Sequence, residues 1–281
     1  DDFEKAFYKD NLGQISLDAL CSHITLCAEM GRKENDLVNN FLTSEKMYLE
    51  AEKKFSKNIK YIGYGLDLYK YLNKHEKRIS KALEIISIEG LDKMFGSILI
   101  SSQMYLNNWS QKDFGEFQKE FSKIFKAYDA KEITKVDIDK GKIKVGFLSP
   151  DFYKDHSITY FIKSLLKDLK QTKFETFGLS LLKENQHDES TDKLLPLFDN
   201  WSVLGEKTDQ EIINIIQDLK IDILIDLGGL WSHNRISIFN TRICPLQISW
   251  LGFNNSTGLK EVDFILADVN TVKEEEKYSG P

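Results

Sequence analysis

Apolar residues follow two rhythms along this chain. Up to about residue 126 they recur at intervals of three and four, the mark of amphipathic helices. From Lys142 onward they come in short unbroken runs between polar turns, the mark of buried strands alternating with helices. The stretch from Lys142 to Phe161 sets the second rhythm. Ile143, Val145, Gly146, Phe147 and Leu148 form a run suited to a strand buried on both faces. Ser149–Pro150–Asp151 ends it, because proline lacks a donor and disfavours helix in the residue before it. A charged loop carrying His156 follows. Ile158, Ile162, Leu165, Leu166 and Leu169 then fall at helical spacing.

The pattern repeats downstream. Strands are expected at Phe174–Leu182, Trp201–Leu204, Ile221–Leu227, Leu246–Leu251 and Val262–Leu266. A short helix is expected at His187–Leu197, and another, capped at Thr208–Asp209, over Ile212, Ile213, Ile216 and Leu219. Such alternation predicts an α/β fold with a mostly parallel, Rossmann-like, doubly wound sheet. Loops at the carboxyl ends of its strands gather on one edge. That edge collects Asp151, Lys154, Asp155 and His156, then Gly228, Gly229, Trp231, His233, Asn234 and Arg235. It also collects Gly252, Asn254, Asn255, Ser256 and Thr257, then Asp268 and Asn270. Hydroxyls, amides and glycines in this mixture suit a sugar ligand.

The first half predicts an all-α, helical-hairpin, TPR-like domain. Ser16 caps a first helix that ends near Gly31, and further helices are expected at 37–55, 59–72, 79–88 and 91–106. The tetratricopeptide signature itself is absent. Phe114, Phe117, Phe121 and Phe125 form a stripe that serves either packing or a ligand-binding face. The charged stretch Tyr128–Lys140 reads as a linker, which places an α-helical domain at 1–138 and the α/β domain at 139–281. All four prolines lie beyond residue 149.

A net charge of −6 argues against nucleic-acid partners held through phosphate contacts. No apolar run reaches the roughly 18–20 residues that span a bilayer, so no membrane partner is expected. Cys21, Cys27 and Cys244 fit neither a metal nor a redox spacing, and read as reduced thiols of a cytoplasmic protein. No motif supports a hydrolase triad or a metal site, so no metal and no cofactor are expected. A start without Met and an end just after the sixth run lead us to expect a longer protein at both ends. Each candidate keeps a structural alternative: His156 as the cap of the helix starting at Ser157, Asp151 as a turn former, Gly252–Gly258 as an ordinary loop. Spacing alone therefore supports a polar ligand edge on an α/β domain behind a helical one.

The segment VGFLSPDFYKDHSITYFIKSLL resembles the opening of the catalytic region of the O-linked N-acetylglucosamine transferase family, SPINDLY-like branch. A second signature, IDILIDLGGLWSHNR followed by RICPLQISWLGFNNSTGLKEVDFILAD, is similar to that family's, with Arg242, Pro245, Gln247, Trp250–Leu251–Gly252, Ser256–Thr257–Gly258, Asp263 and Asp268 at matching places. Departures include Ser157–Ile158 after the histidine and Phe253–Asn254–Asn255 after the glycine. The resemblance implies the first lobe of a GT-B glycosyltransferase that moves a sugar from a nucleotide sugar, UDP-GlcNAc, to an acceptor protein or peptide, with inversion and without a metal. It implies catalytic roles for His156 and Asp151, and sugar contacts from Leu251, Gly252, Asn254 and Thr257. The donor-binding second lobe has no counterpart here, so the fragment alone is expected to be inactive. A non-catalytic scaffold binding a partner protein is the alternative.

Overall fold

A computed structural model describes residues 37–106, 110–133, 141–153, 156–170, 172–230, 234–253 and 256–268, with residues 18, 19, 22 and 270. The chain divides into two compact units, Asp1–Ser110 and Gln111–Pro281. The helix expected from Ser16, apart from residues 18, 19 and 22, lies outside the described residues. So do Cys21, Cys27, Lys154, Asp155, Trp231, His233, Asn254 and Asn255.

In the first unit, α1 (Leu37–Phe55), α2 (Ile59–Tyr71), α3 (His75–Glu89) and α4 (Lys93–Gln103) follow one another through short turns. Asn58 caps α2 by accepting the Tyr61 N–H, and Asp92 caps α4 by accepting the Phe95 N–H. Three tyrosines fill the space between α1 and α2. Tyr48 stacks on Tyr61 with ring centroids 4.3 Å apart and meets Tyr69 edge-on at 5.9 Å. The Tyr61 hydroxyl donates to the Tyr48 carbonyl at 2.8 Å. Burial pushes the Tyr69 hydroxyl up to about 12. Gly65 leaves room for the Tyr48 ring, which any Cβ there would strike. Lys74 and Lys77 of α3 both bind Glu45 of α1. Burial opposes its charge, yet the two lysines hold Glu45 below the usual carboxylate range.

The second unit opens with α5 (Gln111–Ser122). Its aromatic stripe is a packing face: Phe114, Phe121 and Phe125 are buried, and Phe121 meets Phe125 edge-on at 5.2 Å. The sheet then forms from β1 (Ile143–Ser149), β2 (Phe174–Ser180), β3 (Asn200–Val203), β4 (Ile223–Asp226), β5 (Leu246–Trp250) and β6 (Phe264–Leu266). The strand order is β3-β2-β1-β4-β5-β6 with every neighbouring pair parallel. Helices α6 (Ser157–Leu169), α7 (Glu189–Leu194) and α8 (Asp209–Asp218) connect the first four strands. α6 presents Ile158, Ile162 and Leu166, all buried, to the same cluster as Val145 and Phe147 of β1. Each such side chain contributes about 1.5–3 kcal/mol.

The stretch expected as a linker is partly docked. Tyr128 donates its N–H to Thr241 Oγ1 and its hydroxyl to Asp209. Gln210 pairs with both the N–H and the carbonyl of Asp129, and Gln217 does the same for Lys131. Two amide side chains of α8 thus take the place of a neighbouring strand. Residues 134–140 lie outside the described part.

At the sheet's other edge, the Arg242 guanidinium grips Asp263 with two bonds, 2.6 and 2.9 Å, and Glu261 with one of 2.9 Å. Asp263 also accepts the Gln247 N–H, and the buried Gln247 amide ties Ile243 to Glu261. Burial works against the Asp263 charge, but Arg242 and the Gln247 N–H outweigh it and keep the carboxyl below its ordinary range. Arg242, Gln247 and Asp263 therefore hold the starts of β5 and β6 together.

Candidate functional site at the carboxyl edge of the sheet

The chain leaves β1 towards β2 and β3, and leaves β4 towards β5 and β6. The strand order reverses between β1 and β4, the place where open α/β sheets bind ligands. Leu148 pairs with Asp226 and Asp226 with Ser249, so the three strands end level. The loops after β1, β4 and β5 consequently emerge on one edge.

The loop after β1 is pinned. Buried Ser149 accepts the Asp151 N–H at 3.0 Å, and the Thr159 hydroxyl bonds the carbonyls of Asp151 and Tyr153. The Thr191 hydroxyl holds the Phe152 carbonyl at 2.6 Å, and the buried Phe152 ring packs on Phe198 and Trp201. His156 sits at the N-cap of α6, where its Nδ1 accepts the Ile158 N–H at 3.3 Å. An accepting Nδ1 carries no proton, so the neutral ring keeps its proton on Nε2. Nε2 lies 3.7 Å from Asp151 Oδ1, with the two side chains 31% and 21% exposed. Capping thus uses Nδ1 and leaves Nε2 beside Asp151. Tyr153 stacks obliquely 5.3 Å from the imidazole. Burial and the Asp151 charge raise its hydroxyl above the ordinary value.

After β4, the buried Asp226 carboxylate accepts the N–H groups of Gly228 and Gly229 at 3.0 and 2.8 Å. After β5, Leu251 adopts φ +64°, and the Gly252 N–H bonds back to the Trp250 carbonyl at 2.8 Å. This is a three-residue turn of the strained hand. A Cβ on Gly252 would overlap the Leu227 carbonyl, so the two turns touch through bare backbone. Thr257 is 2% exposed and its hydroxyl accepts the Leu259 N–H. It shapes the loop, which Gln118 of α5 grips through the Ser256 carbonyl. Asp151, His156, Leu251 and Gly252 therefore share the edge, Thr257 is buried beneath it, and Asn254 lies outside the described residues. Asp226 went unnoticed in the sequence; its signal was an aspartate directly before Leu-Gly-Gly.

Behind the edge, Asp209 accepts from Arg235, Ser237 and Tyr128. Burial alone would raise its pKa; these three donors outweigh burial and hold the carboxyl below the usual range. Cys244 is a free thiol that burial pushes up to about 12, leaving it unreactive. Among the described residues, no group of three or more His, Cys, Asp and Glu side chains is placed to hold a metal. No described helix is long and apolar enough to cross a membrane.

This geometry has counterparts. The Arabidopsis thaliana protein named as a probable UDP-N-acetylglucosamine–peptide N-acetylglucosaminyltransferase, SPINDLY, is 32% identical over 130 residues, 45% of this chain and 14% of that protein. The SPINDLY protein of Hordeum vulgare, under the same description, is 27% identical over 155 residues, 54% of this chain and 16% of its own. The chain thus matches only a small part of the length of these relatives. Among solved structures, a mutant O-GlcNAc transferase from Thermobaculum terrenum superimposes with a TM-score of 0.65 at 20% identity, over 90% of this chain and 53% of that one. At that identity the likeness speaks to the fold, which is that of a GT-B transferase's first lobe with helices before it. The model of glycosyl transferase family 41 matches residues 121–280, more than half of the chain, and with the sheet, the pinned histidine loop and the glycine turns all inside that stretch, the chain belongs to this family.

Proposed function

We propose that the α/β unit is one lobe of a glycosyltransferase that moves N-acetylglucosamine from UDP-N-acetylglucosamine to a protein or peptide side chain. The observation that carries this reading is the placing of Asp151 and His156, each held by a local hydrogen bond, at the point where strand order reverses, on the same edge as turns without side chains at Gly228, Gly229 and Gly252. Family membership and the names of the relatives supply the donor and the acceptor class.

In this reading an acceptor hydroxyl oxygen bonds to the anomeric carbon as that carbon's bond to the diphosphate breaks, and the configuration inverts. The hydroxyl proton passes to Asp151 or to the departing phosphate. His156, with its proton on Nε2, donates a hydrogen bond to a sugar or phosphate oxygen, and Asp151 steadies the ring. The Leu251–Gly252 backbone lets the sugar approach closely. The charge of the leaving diphosphate is met by hydrogen bonds and by a second lobe, so no metal is needed. A buried, reduced Cys244 suits a cytoplasmic setting.

The test is transfer by a form of the protein carrying both lobes, given UDP-N-acetylglucosamine and candidate acceptor proteins. Mass spectrometry should find one N-acetylhexosamine added, at the same rate with EDTA present. No addition, or addition that EDTA abolishes, would contradict the reading.

A further inference from the structure

Buried polar groups also gather in the helical unit, where the start of α3 meets the end of α4. Arg78 is only 9% exposed. Its guanidinium makes one hydrogen bond, from Nη1 to Ser102 Oγ at 3.1 Å, and its Nε is buried with no partner. Among the described residues no carboxylate pairs with it. One turn earlier on the same face, His75 is 8% exposed. Its Nε2 meets Asn73 Oδ1 at 2.7 Å, and its Nδ1 is buried and unpartnered. The imidazole stacks on the Tyr105 ring at 4.2 Å, and Tyr105 is 70% exposed, so the cluster lies beside solvent.

A guanidinium has five donors in a fixed fork, and burying it without an anion is expensive. Burial depresses the pKa of Arg78, and burial together with Arg78 depresses that of His75. The Asp67 charge favours the Arg78 cation only partly, without a hydrogen bond to it, whereas Glu45 is met directly by two lysines. We propose that Arg78, His75 and Ser102 form an oxyanion site, which takes a carboxylate or phosphate group on the free edge of the Arg78 fork. The Ser102 hydroxyl proton and, in the charged ring, the His75 Nδ1–H complete the cradle. Such a site would let the helical unit hold an acidic or phosphorylated side chain of a protein partner, or a free phosphate ion. It does not depend on the transferase reading.

The experiment titrates the full chain with inorganic phosphate while following histidine ring resonances by NMR and thermal unfolding. Phosphate should move the His75 resonances saturably, leave those of His187 in place, and raise the melting temperature. Arg78→Met, which keeps the length of the side chain and removes the charge, should weaken phosphate binding on the order of tenfold or more. It should also melt no lower than the parent in phosphate-free buffer, since an unpaired buried charge is gone. Competition by a phosphoserine peptide or a glutamate-rich peptide would identify a protein side chain as the natural occupant. Displacement by free anions alone would identify a small ion. His75 resonances that stay still throughout, or shift no more than those of His187, overturn the proposal. An Arg78→Met protein that binds phosphate like the parent does so too. Should Arg78→Met fail to fold, the comparison of His75 with His187 in the parent protein still decides.

Discussion

Leu251 carries the strain of the site. A leucine at φ +64° pays for a turn that glycine would make freely. Leu251→Gly should therefore leave stability unchanged or raise it by up to about 1 kcal/mol, measured by urea unfolding, while lowering transfer. Its neighbour behaves oppositely. Gly252→Ala drives a methyl group into the Leu227 carbonyl and should destabilise by about 1–3 kcal/mol in the same assay. Gly252 was visible in the sequence as the glycine ending a strand, Leu251 only through family resemblance, since a Trp-Leu-Gly run says nothing by itself about backbone sign. Asp226 was not visible. An aspartate at a strand end looks the same whether it meets solvent or two glycine N–H groups, and only the turn geometry separates the two. Thr257, expected as a sugar contact from a polar loop, is buried and accepts the Leu259 N–H, a structural use that a loop sequence does not reveal.

Among the elements, the strap at residues 128–131 is the least legible. Its charge and low apolar content read as a linker because its partners, Gln210 and Gln217, lie some 80 residues away and bond it through side-chain amides. Amide exchange should find Asp129 and Lys131 protected, and Gln217→Ala should release the Lys131 amide while leaving β1 protected. Asp209 anchors the same strap together with Arg235 and Ser237. Its folded pKa lies below the unfolded value, so its stabilisation is present above that value and disappears as pH falls through the folded one. Acid unfolding should accordingly be less steep in Asp209→Asn, which should also lose on the order of 1–2 kcal/mol at neutral pH. Strands were readable within a residue or two, while helix ends differed by up to four residues, as at His75 and Gln103. The strand expected from Val262 starts at Phe264; just before it, the Asp263 carboxylate is taken up by Arg242 and the Gln247 N–H, and its own N–H bonds the Gln247 carbonyl.

For the whole molecule, alternating strands and helices were enough to predict a parallel sheet, but not the order of its strands. Order matters more than count here, because only the reversal between β1 and β4 sets the His156 loop beside the glycine turns. The two readings of His156, helix cap and reacting group, are compatible in the folded chain, since capping uses Nδ1 and leaves Nε2 beside Asp151. That division can be measured. Asparagine caps helices at least as well as histidine but lacks the second nitrogen. His156→Asn, in a form of the protein carrying both lobes, should unfold within about 0.5 kcal/mol of the parent or later, while its rate of sugar transfer from UDP-N-acetylglucosamine falls by about a hundredfold or more. Transfer at the parental rate by a stably folded His156→Asn protein would contradict the account.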